Sequence, residues 1–192
     1  MMEKKIREVR LREIRALEED NERMIVEGYA IVFDEPTDLG YIEVIDRNAL
    51  NECDMSDVCM KYNHEDSKLI MARTRNRSLQ LTVDDRGLKI YAELIPTQSN
   101  RDIYKSIQAG LLDKMSFAFL VGEAEWTIND NGEPDVRVIT KISKLFDVSV
   151  VDVPAYSQTE IYARSKKAVE EEQKKYRELK LEKEKMKLKL ML

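Results

Sequence analysis

Apolar residues recur along this chain at two different periods, and the period changes where polar punctuation falls. Val9 and Leu11 alternate with Arg10 and Arg12, the period-two signature of a strand that shows one face to a core. The acidic stretch Glu18-Glu19-Asp20-Asn21-Glu22 then breaks the pattern as a turn. Residues 24–33 (MIVEGYAIVF) are apolar, β-branched and aromatic over the length of one strand. Residues 35–40 (EPTDLG) read as a loop and residues 41–45 (YIEVI) as a further short strand. Asp46 is placed to cap a short helix through Ala49 and Leu50.

The middle of the chain is marked more sharply. Leu79, Leu81 and Val83 alternate, the turn Asp84-Asp85-Arg86-Gly87 follows, and Leu88, Ile90, Ala92 and Leu94 alternate again. This predicts a β-hairpin, with Gly87 free to adopt a positive φ. Ser99, three residues before Asp102, forms part of a capping box. Ile103, Ile107 and Leu111 then make a helical stripe that Gly110 stops. A strand over residues 114–121 (KMSFAFLV), an Asn131-Gly132 turn and a long strand over residues 136–153, ended by Pro154, complete the pattern.

From Ser165 onward the composition changes. Glu170–Lys174 and Glu171–Lys175 are i,i+4 pairs, each stabilising a helix by roughly 0.2–0.5 kcal/mol. Val169, Tyr176, Leu179 and Met186 keep only a broken heptad. A solvated helix is the simpler reading of this tail, and a docking helix the alternative. The expected fold is α+β: one β-rich domain over residues 1–164 and a charged helical tail over residues 165–192. Short turns between many strands predict a small, closed or nearly closed, mostly antiparallel β-barrel flanked by a few helices.

Composition narrows the function. A chain of 192 residues builds one core. Lys+Arg 32 against Asp+Glu 37, a formal charge of −5, argues against an overall basic nucleic-acid binder. No apolar run approaches the ~20 residues of a membrane span, and the N-terminal residues MMEKKIREVRLREIR carry no signal-like apolar stretch. Two cysteines, Cys53 and Cys59, suit a reducing compartment. These features predict a soluble chain, intracellular where it is made, with no membrane or nucleic-acid partner.

The chain has a single histidine, His64, in Tyr62-Asn63-His64-Glu65-Asp66. Its polar neighbours put it at a strand end or loop, and a histidine is the natural proton shuttle near neutrality; a surface or packed histidine is the plainer alternative. Ser116 follows the helix that Gly110 stops and opens an otherwise apolar strand, so one hydroxyl stands where packing favours hydrocarbon. It is inert as a nucleophile unless a base takes its proton, and simple tolerance of a serine is the alternative. Asp147 lies inside the apolar strand Leu145-Phe146-Asp147-Val148-Ser149. A buried carboxylate there needs a cation or a donor, either the imidazole or an ordinary lysine or arginine. Asp152, Glu65 and Asp66 are competing carboxylates. Cys53, Cys59 and His64 have no usual zinc spacing, and nothing near Cys59 reads as a nucleophile turn, so neither a metal nor a cofactor is expected.

Taken in order, GYAIVF, YNHE, RGLKIYAEL, AGLLDKMSFAF and LFDVSVVDVPA resemble the tailed-phage prohead protease family, which is related in fold to the herpesvirus assemblins. The resemblance spans roughly residues 24–162. It implies a small β-barrel wrapped by helices, with His64 as the histidine of an N-H motif and Ser116 as the serine of S-F-x-F. It also implies Asp147 as the acidic member of an E/D-V-S strand, one methylene shorter than the frequent glutamate. Arg73 matches a small-residue–arginine step after the histidine, with Ala72 in place of glycine, as either a structural arginine or an oxyanion or substrate contact. The implied substrates are capsid-associated and scaffold proteins and the protease's own ends, cleaved in the prohead within the host cytoplasm. A homo-oligomer is implied by analogy with assemblins. The tail would then recruit the protease to the shell or be trimmed. The rival reading is a non-catalytic capsid-assembly or scaffolding module on the same fold.

Overall fold

Hydrogen bonding sorts the alternating segments into two sheets that share one core. The computed structural model describes residues 5–9, 14–17, 23–66, 69–152 and 160–190. Leu11, the acidic stretch 18–22 and Pro154 lie outside them. The strands are β1 (Lys5–Val9), β2 (Ile14–Leu17), β3 (Met24–Val32), β4 (Thr37–Asp38), β5 (Ile42–Ile45), β6 (Cys59–Tyr62), β7 (Ala72–Arg73), β8 (Leu79–Val83) and β9 (Gly87–Leu94). Helix α1 (Gln98–Gln108), the long strands β10 (Lys114–Thr127) and β11 (Val136–Val151), and helix α2 (Glu160–Leu190) follow. The class is α+β and strand-rich.

One sheet has four strands in the order β2-β3-β9-β8; the other has seven, with β1-β10-β11-β5-β4 along its main path and β6 and β7 attached through β11. Among the described residues no ladder closes on itself, so the expected barrel is not found. The reason is the length of β11: its first half pairs with β5 and its second half with β6, which branches the sheet instead of curling it shut. Both of these pairings are parallel, while the other pairings among the named strands are antiparallel, so the sheets are mostly antiparallel as expected. The core joins Val26, Ala30, Ile31, Leu88 and Ile90 of the smaller sheet to Phe117, Phe119, Leu145, Val148 and Val150 of the larger one.

Local sequence signals and the structure agree only in part. The 79–94 hairpin forms as expected, with Gly87 at a positive φ of 158°, and Gly87 is needed for a second reason. A Cβ there would lie 2.0 Å from the Ile31 carbonyl oxygen, so the close passage of β3 excludes any side chain. Asp46 caps no helix; its Oδ1 accepts the Asn48 N–H at 2.8 Å, an Asx turn that competes with helix formation. The cap of α1 is Thr97, whose hydroxyl accepts the Asn100 N–H at 3.2 Å, two residues before Ser99. Tyr104 and Ile107 are the buried members of its stripe, and Leu111 points to solvent at 74% exposure.

The tail helix α2 is not solvated throughout. Arg137 of β11 is fully buried; it donates to Glu43 at 2.9 Å and to Glu172 of α2 at 2.7 Å. The Trp126 indole also donates to Glu172, at 3.0 Å. Arg177 donates to Asp135 at 2.7 Å, Tyr176 to the Ala124 carbonyl at 3.1 Å, and Val169 is buried. The near half of α2 is therefore docked on the β10–β11 hairpin, while Leu181 and Met186 beyond it are exposed.

Candidate active site

Around the middle of β11 the strands run in the order β1-β10-β11-β6-β7. Residues in register share a face of a sheet. Ser116 pairs with Ser149, and Ser149 with Lys61; the next row on that face is Ala118, Asp147 and Cys59. Phe117, Val148 and Met60 form the intervening row, all fully buried, on the core face. The alternation S-F-A-F against D-V-S-V thus packs hydrocarbon on one side and gathers hydroxyl and carboxylate on the other. A β-bulge at Phe146, between the pairs Ala118–Asp147 and Phe119–Leu145, sits directly beside Asp147; such bulges re-aim neighbouring side chains.

His64 reaches this face from the turn after β6. Asn63 and His64 both take left-handed backbone, with φ of 52° and 56°, a conformation that costs non-glycine residues of order 1–3 kcal/mol. The surroundings hold it in place. The Asn63 N–H donates to the Val150 carbonyl at 2.9 Å, and the Asn63 side-chain oxygen accepts the Asp152 N–H at 3.2 Å. Asparagine tolerates this backbone better than most residues, which explains why one precedes the histidine.

The imidazole bridges two strands. Its Nδ1 is 2.5 Å from Asp147 Oδ1 and its Nε2 is 2.7 Å from Ser116 Oγ. The Ser149 hydroxyl donates to the same Asp147 oxygen at 3.1 Å. With Nδ1 protonated toward Asp147, Nε2 is free to accept the Ser116 proton. Ser116, Ser149 and Asp147 are fully buried and the His64 side chain is 8% exposed, so these bonds act in a poorly screened environment.

A buried carboxylate needs more than one donor. Lys61 Nζ stands 3.7 Å from Asp147 Oδ2, and its side chain is only 11% exposed. At the effective dielectric of such sites this attraction is worth about 4 kcal/mol, set against several kcal/mol of desolvation. Burial works against the Lys61 charge, but its hydrogen bond to Asp66 and the field of Asp147 outweigh it and hold the ammonium's pKa above the usual lysine value.

The sequence matches the caudovirus prohead serine protease family over residues 10–175. The chain belongs to that family. Its fold is similar to that of the bacteriophage T4 capsid assembly protease, at 12% identity and a TM-score of 0.47, with 78% of this chain and 98% of that one covered. No curated protein matches the chain.

Within this prohead-protease family member, the three residues singled out by sequence lie together, and two of the three competing carboxylates have partners of their own. Asp152 accepts the Tyr62 hydroxyl at 3.0 Å and Asp66 pairs with Lys61. Arg73 makes a two-pronged ion pair with Asp57, at 2.5 and 2.6 Å, so its guanidinium is committed to a loop carboxylate. Among the described residues no group of three or more His, Cys, Asp or Glu side chains is placed to hold a metal. The cysteines are free, and burial pushes the Cys53 thiol up to about 11, the wrong direction for a nucleophile or ligand. Sequence reasoning missed Lys61. Its only signal was a lysine inside the apolar strand CMKY, because the partner it serves is reached through a long-range parallel pairing.

Proposed function

We infer that this chain is a serine endopeptidase that cleaves scaffold and capsid-associated proteins, and itself, inside the prohead during capsid maturation. The observation that carries the reading is the unbroken hydrogen-bond chain Asp147–His64–Ser116, at 2.5 and 2.7 Å, in a member of this family. Ser116 Oγ attacks a peptide carbonyl as His64 Nε2 takes its proton, and the imidazolium is stabilised by Asp147. His64 then gives that proton to the leaving amine, an acyl-enzyme remains on Ser116, and water activated by the same imidazole hydrolyses it. Every proton in the cycle passes through His64, so no metal or cofactor is required. Lys61 and Ser149 keep Asp147 charged and aimed. The end of α2 beyond Lys180, with Leu181 and Met186 exposed, is the segment suited to recruiting the protease to the assembling shell.

Co-expression of the wild type and Ser116→Ala with the neighbouring capsid and scaffold proteins, followed by intact-mass analysis, tests this reading. Fragments made by the wild type and absent with Ser116→Ala are expected. Equal cleavage in both would remove Ser116 as the nucleophile. Co-purification with shell proteins and no cleavage in either would favour a non-catalytic assembly module.

A further inference from the structure

Lys61, Ser149 and Ser116 stand in one row across β6, β11 and β10, and Asp147 occupies the next row on the same face. The two oxygens of Asp147 meet different groups. Oδ1 takes the His64 ring at 2.5 Å and the Ser149 hydroxyl at 3.1 Å. Oδ2 faces the Lys61 ammonium at 3.7 Å, near enough to act through charge and too far for a hydrogen bond. The same ammonium bonds the carboxylate of Asp66, whose side chain is 79% exposed. Lys61 therefore links an exposed carboxylate just beyond the histidine to the buried one behind it.

This link matters because a buried carboxylate demands a positive charge beside it. Were the imidazole its only source, Asp147 would hold His64 as imidazolium at rest, with Nε2 protonated and unable to accept from Ser116. Lys61 supplies the charge instead. Burial disfavours its ammonium, but Asp66 and Asp147 outweigh that and hold its pKa above the usual lysine value. It thus stays charged across the range in which an imidazole titrates. Ser116, Asp147 and Ser149 are fully buried, so solvent does little to screen these charges from one another. The other titratable groups nearby come from several elements. Asp152 accepts the Tyr62 hydroxyl, and Arg73 of β7 is paired with Asp57. Glu65 follows His64 in the turn, Cys59 is in register with Asp147, and Glu8 of β1 is opposite Ser116 in the ladder. Among the described residues, Lys61 is the lysine or arginine in ion-pair contact with Asp147.

We propose that Lys61 is a positioning residue that, by giving Asp147 its positive charge, keeps the His64 imidazole neutral and ready to accept the Ser116 proton. Asp66 tunes that supply from the surface by drawing the ammonium toward solvent. The purpose of this arrangement rests on the serine-protease reading, whereas the coupling of Lys61 to His64 through Asp147 is measurable without proteolysis. Lys61 then does more than hold Asp147 in place: it sets the pH range in which the base works. Removing the Lys61 charge favours imidazolium, so protonation of His64 extends to higher pH. Removing the Asp66 charge leaves the ammonium's field on Asp147 undivided, so protonation is confined to lower pH.

His64 is the single histidine of the chain, so NMR of the full-length protein with isotopically labelled histidine reads its titration without ambiguity. Every sample carries Ser116→Ala to prevent self-cleavage. Lys61→Met and Lys61→Gln remove the charge without and with a donor in its place, so one of them serves if the other does not fold. Each should move the titration midpoint upward by about one pH unit, tenfold in the protonation equilibrium. Lys61→Arg, which keeps the charge, should leave the midpoint near that of the native lysine. Asp66→Asn, at an exposed side chain, should move it downward. A lysine with a purely structural role would lower stability when replaced and leave every midpoint in place. An unmoved or lowered midpoint in the folded Lys61→Met or Lys61→Gln chain overturns the proposal, as does a raised one in Asp66→Asn. The same substitutions with Ser116 restored are then assayed on a scaffold-derived peptide, where the acid limb of kcat/KM should follow the midpoints. Midpoints that move with no cleavage by any variant sink the serine-protease reading alone. Cleavage with unmoved midpoints sinks the role of Lys61 alone.

Discussion

Asp147 Oδ1 lies 2.5 Å from His64 Nδ1, although the two residues are 83 positions apart, one within β11 and the other in the turn after β6. That contact fixes the tautomer that leaves Nε2 facing Ser116 Oγ at 2.7 Å. An asparagine at position 147 keeps the shape and can turn its amide toward the ring, favouring the wrong tautomer. Asp147→Asn is expected to lower kcat by roughly 10⁴-fold with little change in KM, measured by steady-state cleavage of a scaffold-derived peptide. Retention of more than a tenth of the activity would remove Asp147 from the proton path.

Lys61 predicts a pH dependence. Its folded pKa is raised, through Asp66 and Asp147 and against the opposing effect of burial. The stability it adds is therefore fully present below the ordinary lysine value of about 10.4 and is lost as pH rises through the higher folded value. Lys61→Met, which leaves Asp147 buried without its cation, should cost about 3 kcal/mol at neutral pH. From neutral pH upward, the gap between Lys61→Met and the wild type should narrow only at pH above about 10. Urea unfolding at stepped pH from neutrality upward measures it; a gap that closes between about pH 7 and 9 would contradict the assignment.

The Arg137 cluster predicts how α2 is held. Removing the guanidinium strands Glu43, which is 3% exposed, so Arg137→Leu should destabilise the chain by about 3–5 kcal/mol. Glu172→Gln keeps one acceptor oxygen near Arg137 and Trp126 but replaces the other with an NH2 donor and removes the charge. It should cost about 1–2 kcal/mol and leave the sheet intact while loosening the helix. Denaturant unfolding checks the first value. Limited proteolysis confined to residues 160–190 in Glu172→Gln checks the second.

Strand positions were legible where alternation was clean and the partner near in sequence, as in residues 79–94 and in the Asn131-Gly132 hairpin, because side-chain period and turn chemistry are local properties. Candidate chemistry was legible for a related reason. One histidine, one hydroxyl opening an apolar strand and one carboxylate within another each conflict with their immediate surroundings, and a local conflict can be read without coordinates. Arg137 shows the opposite case: in VRVITK it reads as the solvent side of a strand, yet it is fully buried because Glu43 and Glu172 arrive from distant segments.

By itself, then, the sequence determined the strand-rich α+β class, most strand and helix positions, and the three residue types a serine acyl transfer needs. Tertiary structure decided that the ladders form two open sheets, that Lys61 stands behind Asp147, that α2 docks through a buried arginine, and that β1 lies against the strand of Ser116. Each of these depends on which strands become neighbours and in what register. That choice is made by the packing of the whole core and leaves no period, cap or turn in any one segment.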